Sequence, residues 1–263
     1  MGTITYLDCA RTAWADAWKV VLRRSPPVAL ALAALLIANI ATVTLSRMPV
    51  TVPTTSIARL MQDLILLIRS TAILALPMHV MQIIMIGDHE FRLSSIFGKP
   101  FWRYLGLGSV IGAGFCGILV LVMVGGFFVF HALGFHKPGI WLPSGLAGVV
   151  TFCLLIFVAT RLSLLFCHVA IGGTMRWRAS WNDTRGHFWK ILLSQFLIGL
   201  PTQFVMIAIF LLGRVLAKSM GADAWAYLFA IISAPVEVIG LIVGAACLCL
   251  LYRRFAETLL VQA

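Results

Sequence analysis

Three ionisable residues stand inside long apolar runs of this chain: Arg69, Arg161 and Glu237. A charge at the centre of a membrane-crossing helix costs about 2.5–3.5 kcal/mol on insertion scales, so it is kept with a partner or for a purpose. A carboxylate beside a guanidinium offsets the cost of burying either one. Glu237 with Arg161 is the preferred pair on sequence, and Arg69 is the alternative partner. Together the three make a candidate intramembrane polar site for an anionic or zwitterionic ligand. The plainer reading is an internal ion pair that fixes how the helices register. Arg161 has a further option, because a long basic side chain can snorkel towards the near face. Asp63 lies six residues before Arg69. That is about 240° round a helix, so the two do not share a face.

Other residue types give weaker signals. Pro77, Pro201 and Pro235 interrupt apolar runs, and Gln203 and Glu237 lie close to the last two. Proline removes a helical donor and leaves a carbonyl to be satisfied locally, which is tolerated where helices bend or line a cavity. Broken helices sometimes line transporter sites, though most kinks only shape packing. His79 and His168 fall at similar depths, but their spacing is no haem motif. His131, His136, His89 and His187 form no metal cluster. Cys9, Cys116, Cys153, Cys167, Cys247 and Cys249 do not build a disulfide framework, and the last two point about 200° apart on a helix. They read as free thiols. No nucleophile–base arrangement, phosphate-binding loop or metalloprotease signature is present. No cofactor is expected.

These residues must be positioned by helices in lipid. The chain has 263 residues, 61% hydrophobic and only 11% charged, well below the roughly 25% charged residues of a soluble domain. The expected fold is all-α, an integral membrane bundle of about six transmembrane helices with an N-terminal amphipathic interfacial helix. The spans read as 27–46, 57–86, 104–133, 146–172, 190–213 and 225–252, several long enough to tilt. Turn signals separate them at Met48-Pro49 to Pro53, Gly87-Asp88, Lys99-Pro100, Lys137-Pro138-Gly139 with Pro143, Gly172-Gly173 and Gly221-Ala222-Asp223. The domain division is an amphipathic segment over 1–26, a six-helix transmembrane domain over 27–252 and a tail over 253–263.

In residues 3–24, Trp14, Trp18, Val21 and Leu22 recur at helical spacing among Arg11, Lys19, Arg23 and Arg24. That pattern suits a helix lying on a membrane surface. Arg23-Arg24-Ser25 before an apolar run hints at an export signal. The run is too long for one, and Pro26-Pro27 reads as the start of the first span. The net charge of +11 would suggest nucleic acid in a soluble protein. Here the basic residues sit in short loops beside apolar runs, so the expected partners are anionic lipid head groups rather than nucleic acid. Thirteen Lys and Arg fall on the side that carries both termini and five on the other. Both termini are therefore expected in the cytoplasm. Trp14, Trp18, Trp102, Trp177, Trp181 and Trp189 fall at that interface, and Trp141 and Trp225 at the opposite one.

Trp18-Lys19, Phe101-Trp102-Arg103 and Phe188-Trp189-Lys190 each precede or open an outgoing span. Three parallel hairpins would fit, although any such interface attracts aromatic and basic residues. Gly108 with Gly112, and Gly240 with Gly244, match the small-xxx-small pattern that lets helices approach closely. Packing within the chain is the default for both pairs, with a membrane-protein partner as the alternative.

One stretch resembles a known set of proteins. Arg161-Leu-Ser-Leu-Leu-Phe-Cys-His168 is followed by Ala179-Ser180-Trp181-Asn182-Asp183-Thr184-Arg185-Gly186-His187-Phe188-Trp189-Lys190. This resembles uncharacterised bacterial inner-membrane proteins similar to the membrane domain of some glycerophosphodiester phosphodiesterases. Tyr252-Arg253-Arg254 and the N-terminal segment also look like that set. Cys167 or His168 stands where the family commonly has a proline. The resemblance implies a multi-pass helical bundle in a bacterial cytoplasmic membrane. It implies no activity, since the phosphodiesterase chemistry belongs to a separate barrel domain.

On sequence, the leading expectation is a non-catalytic membrane protein, an accessory or scaffolding component of a membrane assembly. The alternatives are a transporter or lipid-handling protein built round Arg69, Arg161 and Glu237, and a lipid-modifying membrane enzyme.

Overall fold

The computed structural model describes residues 6–23, 25–47, 56–87, 98–132, 141–257 and 259. Among them are eight helices: α1 (Tyr6–Arg23), α2 (Ser25–Ser46), α3 (Ser56–Ile86), α4 (Lys99–Ala132), α5 (Trp141–Ala170), α6 (Trp177–Asp183), α7 (Phe188–Met220) and α8 (Ala222–Phe255). Six of these, α2 to α5, α7 and α8, are long and apolar enough to cross a membrane. The protein is an all-α, multi-pass membrane bundle, as composition requires. The expected turns at 48–53, Asp88 and 137–139 lie outside the described residues. So do Arg92, His89, His136 and the side chains of His131, Trp141 and Pro143.

α8 is the centre of the bundle. Half of its most apolar stretch is buried, against 6% for α4. It touches α1, α2, α3, α5 and α7, whereas α4 packs on α5 and only lightly on α3. The spans do pair as hairpins, α2–α3, α4–α5 and α7–α8, but these are not equivalent in their surroundings. In lipid there is little hydrophobic drive between helices, so contact depends on close packing and internal polar bonds.

Glycine decides two of the joints. α7 ends at Met220 and α8 begins at Ala222, so Gly221 alone makes the connection. Its φ of 86° lies in the left-handed region that other residues avoid. At the end of α5, Gly172 adopts φ 97°, and the Gly173 N–H donates to the His168 carbonyl at 2.9 Å. This is a Schellman-type stop that satisfies the last carbonyls of the helix.

The ends of the spans are tied by side chains. Gln82 donates to the Ala170 carbonyl at 2.9 Å, and Arg253 donates to the Ile84 carbonyl at 2.5 Å. Both use orphan carbonyls at helix C-termini. At the opposite face Arg47 pairs with Asp223 and joins α2 to α8. Inside, His168 Nδ1 and the buried Tyr252 hydroxyl share a hydrogen bond of 2.8 Å. The Cys167 and Cys249 sulfurs lie 3.8 Å apart, and all the described cysteines are free.

α1 is docked on the bundle through Ala13, Ala17 and Val20, which are buried. Small side chains let it approach α8 and α7 closely, while Trp18 and Leu22 face outward. The Trp14–Trp18 stripe on sequence therefore splits: Trp14 is partly buried against the core and Trp18 is not. Burial pushes the Cys9 thiol up, partly offset by Arg254 nearby, which fits a helix held against the end of α8. The main-chain N–H of Leu259 also donates to Asp183 at 3.1 Å. The two termini thus share one face of the bundle.

The glycine pairs of the small-xxx-small pattern are used unevenly. A side-chain carbon at Gly240 would meet Thr202 of α7, and one at Gly108 would meet Leu74 of α3, each at 3.9 Å. Gly112 and Gly244 have nothing within 4 Å. The tightest approach is at Gly213, where the Trp225 ring of the next helix occupies the space of a side chain. Overpacking a tight site costs about 1–3 kcal/mol, whereas an open surface site changes by about 0.5 kcal/mol or less. Gly213→Ala is expected to lower the unfolding temperature of the purified protein, and Gly112→Ala and Gly244→Ala to leave it unchanged. Equal effects at all three positions would refute the Trp225–Gly213 packing.

Candidate functional site

Glu237 lies mid-way along α8, two residues after Pro235. Its partner is Arg69 of α3, with Nη2 to Oε1 at 3.1 Å. The preferred sequence pairing with Arg161 is therefore corrected, and helix geometry gives the reason. Arg69 lies seventeen residues from Ile86 and Glu237 eighteen from Phe255, both counted to the face that carries the termini. At about 1.5 Å per residue those are depths of roughly 26 and 27 Å. Arg161 lies nine residues from Ala170, the same-face end of α5. Its depth is only about 13 Å on the same scale. A guanidinium cannot bridge that difference, and α3 packs directly along α8.

A cleft of about 600 Å³ surrounds the Arg69–Glu237 pair, between α2, α3, α7 and α8. Asn39, Thr42, Thr202, Gln203 and Ser233 supply its other polar lining. Met206, Phe229 and Leu241 supply apolar wall. The small residues Gly199 and Gly240 leave room between α7 and α8.

The polar groups are held by their own helices. Thr202 donates to the Gly199 carbonyl at 2.7 Å and Ser233 to the Ala230 carbonyl at 3.3 Å. Asn39 reaches across to the same Ala230 carbonyl at 3.5 Å. Pro201 and Pro235 lack the N–H that would bond the carbonyl four residues back. Both prolines flank the cleft, so the interruptions noted on sequence coincide with its walls. Gln203 is an exposed part of the cleft wall, and Arg69 and Glu237 are only part-buried. The pair is thus open to a third group. Sequence reasoning singled out Arg69, Glu237, Pro201, Pro235 and Gln203 but missed Asn39, Thr42, Thr202 and Ser233. One signal existed: each lies at a helical depth similar to that of the pair or outward of it.

Arg161 forms a separate centre. Its guanidinium carbon lies 5.2, 5.3 and 5.9 Å from the ring centres of Phe157, Trp181 and Phe188. Thr184 Oγ1 is 3.5 Å from Nη1. The short helix α6, between the fourth and fifth spans, brings these groups in: Ser180 and Thr184 hydroxyls both donate to the Arg161 carbonyl, at 3.0 and 3.4 Å. His168 is held through Nδ1 by the Tyr252 hydroxyl at 2.8 Å. No group of three or more metal-ligating side chains occurs among the described residues.

The Arg69–Glu237 contact can be weighed by a double-mutant cycle. Arg69→Gln and Glu237→Gln are each expected to destabilise the purified protein, and the double variant less than their sum. Groups in direct contact typically couple by about 0.5–3 kcal/mol. Strict additivity in thermal unfolding would show that the two do not interact. The same cycle on Arg161 and Glu237 is expected to be additive.

Comparison with protein-family models, with curated proteins and with solved structures gives no match.

Proposed function

We propose that this chain is a transporter or lipid-handling protein that holds a zwitterionic ligand, or the head group of one, in the cleft around Arg69 and Glu237. The observation that carries the reading is the coincidence of an ion pair, five polar side chains and a cleft of about 600 Å³ at mid-helix depth. Pockets for small ligands commonly measure about 300–1,000 Å³. An ion pair used only to fix register needs no adjoining cleft lined by further polar side chains. A zwitterion would meet Arg69 with its anionic group and Glu237 with its cationic one. Its remaining donors and acceptors would meet Asn39, Thr202, Gln203 and Ser233. The reading also places the protein in a bacterial cytoplasmic membrane with both termini inside, supported by the excess of basic residues on the face that carries them.

The accessory-subunit reading, the leading expectation on sequence, becomes the second choice here, and one observation favours it. α4 is only 6% buried over its most apolar stretch, and Gly112, Gly114 and Gly117 on it have open space around them. A helix so lightly held by its own chain suits a neighbour in a larger assembly. That reading predicts a stoichiometric protein partner after purification in mild detergent.

For the ligand reading, the purified protein is screened by thermal unfolding against free amino acids and phosphoethanolamine- and phosphocholine-bearing compounds. A true ligand at a hundredfold excess over Kd adds about 2.7 kcal/mol of stability. Glu237→Gln is expected to fold and to lose that response. A response retained by Glu237→Gln and Arg69→Gln would move the ligand elsewhere, and a variant that fails to accumulate would favour the structural ion pair. Orientation has its own test: a C-terminal reporter that is active only in the cytoplasm is expected to be active.

A further inference from the structure

Arg161 carries a charge that no ion pair among the described residues answers. Three aromatic rings enclose it within 5.9 Å, and its Nε is buried without a hydrogen-bond partner. Among the described residues no carboxylate lies within ion-pair distance of it. The nearest acidic residue in sequence on α6, Asp183, receives the Leu259 N–H. Aromatic faces stabilise a cation through their quadrupoles, but they supply no net negative charge. The segment that builds the enclosure adds Arg178, Arg185 and Lys190, all exposed, so the local excess is strongly positive.

The enclosure opens outward. Phe157 and Trp181 are 37% and 40% exposed, and Leu154 and Val150, on the same side of α5 as Arg161, continue an exposed apolar face. Arg161 sits about 13 Å from the end of its helix at 1.5 Å per residue, within snorkelling reach of the head-group boundary for a long basic side chain. Exposed Trp181 and Trp189 beside it suit the same boundary. A counter-ion arriving here needs a compact anionic group with an apolar body attached.

We propose that Arg161 and its aromatic enclosure bind the phosphodiester of an anionic phospholipid from the leaflet on the side of the termini. The phosphate oxygens take the free edge of the guanidinium, whose Nη1 the buried Thr184 hydroxyl already holds. The acyl chains run along Phe157 and the outer face of α5. Arg185 and Lys190 lie at the rim, where they add attraction without fixing geometry. The site is separate from the Arg69–Glu237 cleft, so either can fail without the other.

The shared chemistry, a phosphate, could also come from solution, and the experiment separates the two. The full chain is purified, exchanged into discs of phosphatidylcholine with added phosphatidylglycerol, and the retained lipid is read by native mass spectrometry. Arg161→Gln is expected to retain about tenfold less phosphatidylglycerol than the natural chain, the loss of one charge-assisted contact. Arg214→Gln, an exposed cation near the other end of α7, is expected to retain it in full. Inorganic phosphate is expected neither to displace the lipid nor to stabilise the protein. Should Arg161→Gln fail to fold, a photoactivatable phosphatidylglycerol is crosslinked to the natural chain and the adducts are mapped. Adducts on Phe157 and residues 181–188 support the site. Adducts confined elsewhere, equal retention by Arg161→Gln, or displacement by inorganic phosphate would each overturn it.

Discussion

A carboxylate half-way along a membrane-spanning helix must find a cation, a proton or water, because lipid supplies none of them. Glu237 stands in that position on the most buried helix of the bundle, and Arg69 answers it from α3 at 3.1 Å. The pairing requires α3 and α8 to lie side by side with their mid-points level. Once that is fixed, much of the remaining geometry follows. α2 reaches across with Asn39, α7 follows Gly221 back along α8, and the cleft forms where the small residues of α7 and α8 leave space.

The ends of the helices hold this register. Arg47 joins α2 to the start of α8 at one face, while Arg253 and Gln82 satisfy the last carbonyls of α3 and α5 at the other. Such bonds use groups that a helix end leaves unpaired and that lipid cannot satisfy. Between them the His168–Tyr252 bond and the adjacent Cys167 and Cys249 sulfurs tie α5 to α8. The carboxylate therefore sits in a frame fixed above and below, while its own surroundings stay open.

Arg161 obeys the same constraint by another route. Nearer the membrane boundary, a cation need not take a carboxylate from its own chain. It takes aromatic faces and hydroxyls from the α6 segment, which folds back along α5 to meet it. The two guanidiniums differ in environment because they differ in depth by about a dozen ångströms, as 1.5 Å per residue requires.

Composition and apolar run length were enough to determine an all-α membrane bundle and the approximate limits of all six spans, because lipid admits little else. Gly87, Gly172 and Gly221 were readable as turns since each takes a positive φ that only glycine adopts easily. The mid-helix charges and prolines marked which residues mattered. Partnership was decided by the tertiary structure. Equal charges on different helices look alike until helix ends fix their depths, so Arg161 and Arg69 exchanged roles. The α6 turn, the Trp225–Gly213 contact and the small polar lining of the cleft were hidden for a related reason. Each depends on which faces of neighbouring helices meet, and apolar sequences with almost no amphipathic contrast do not record that.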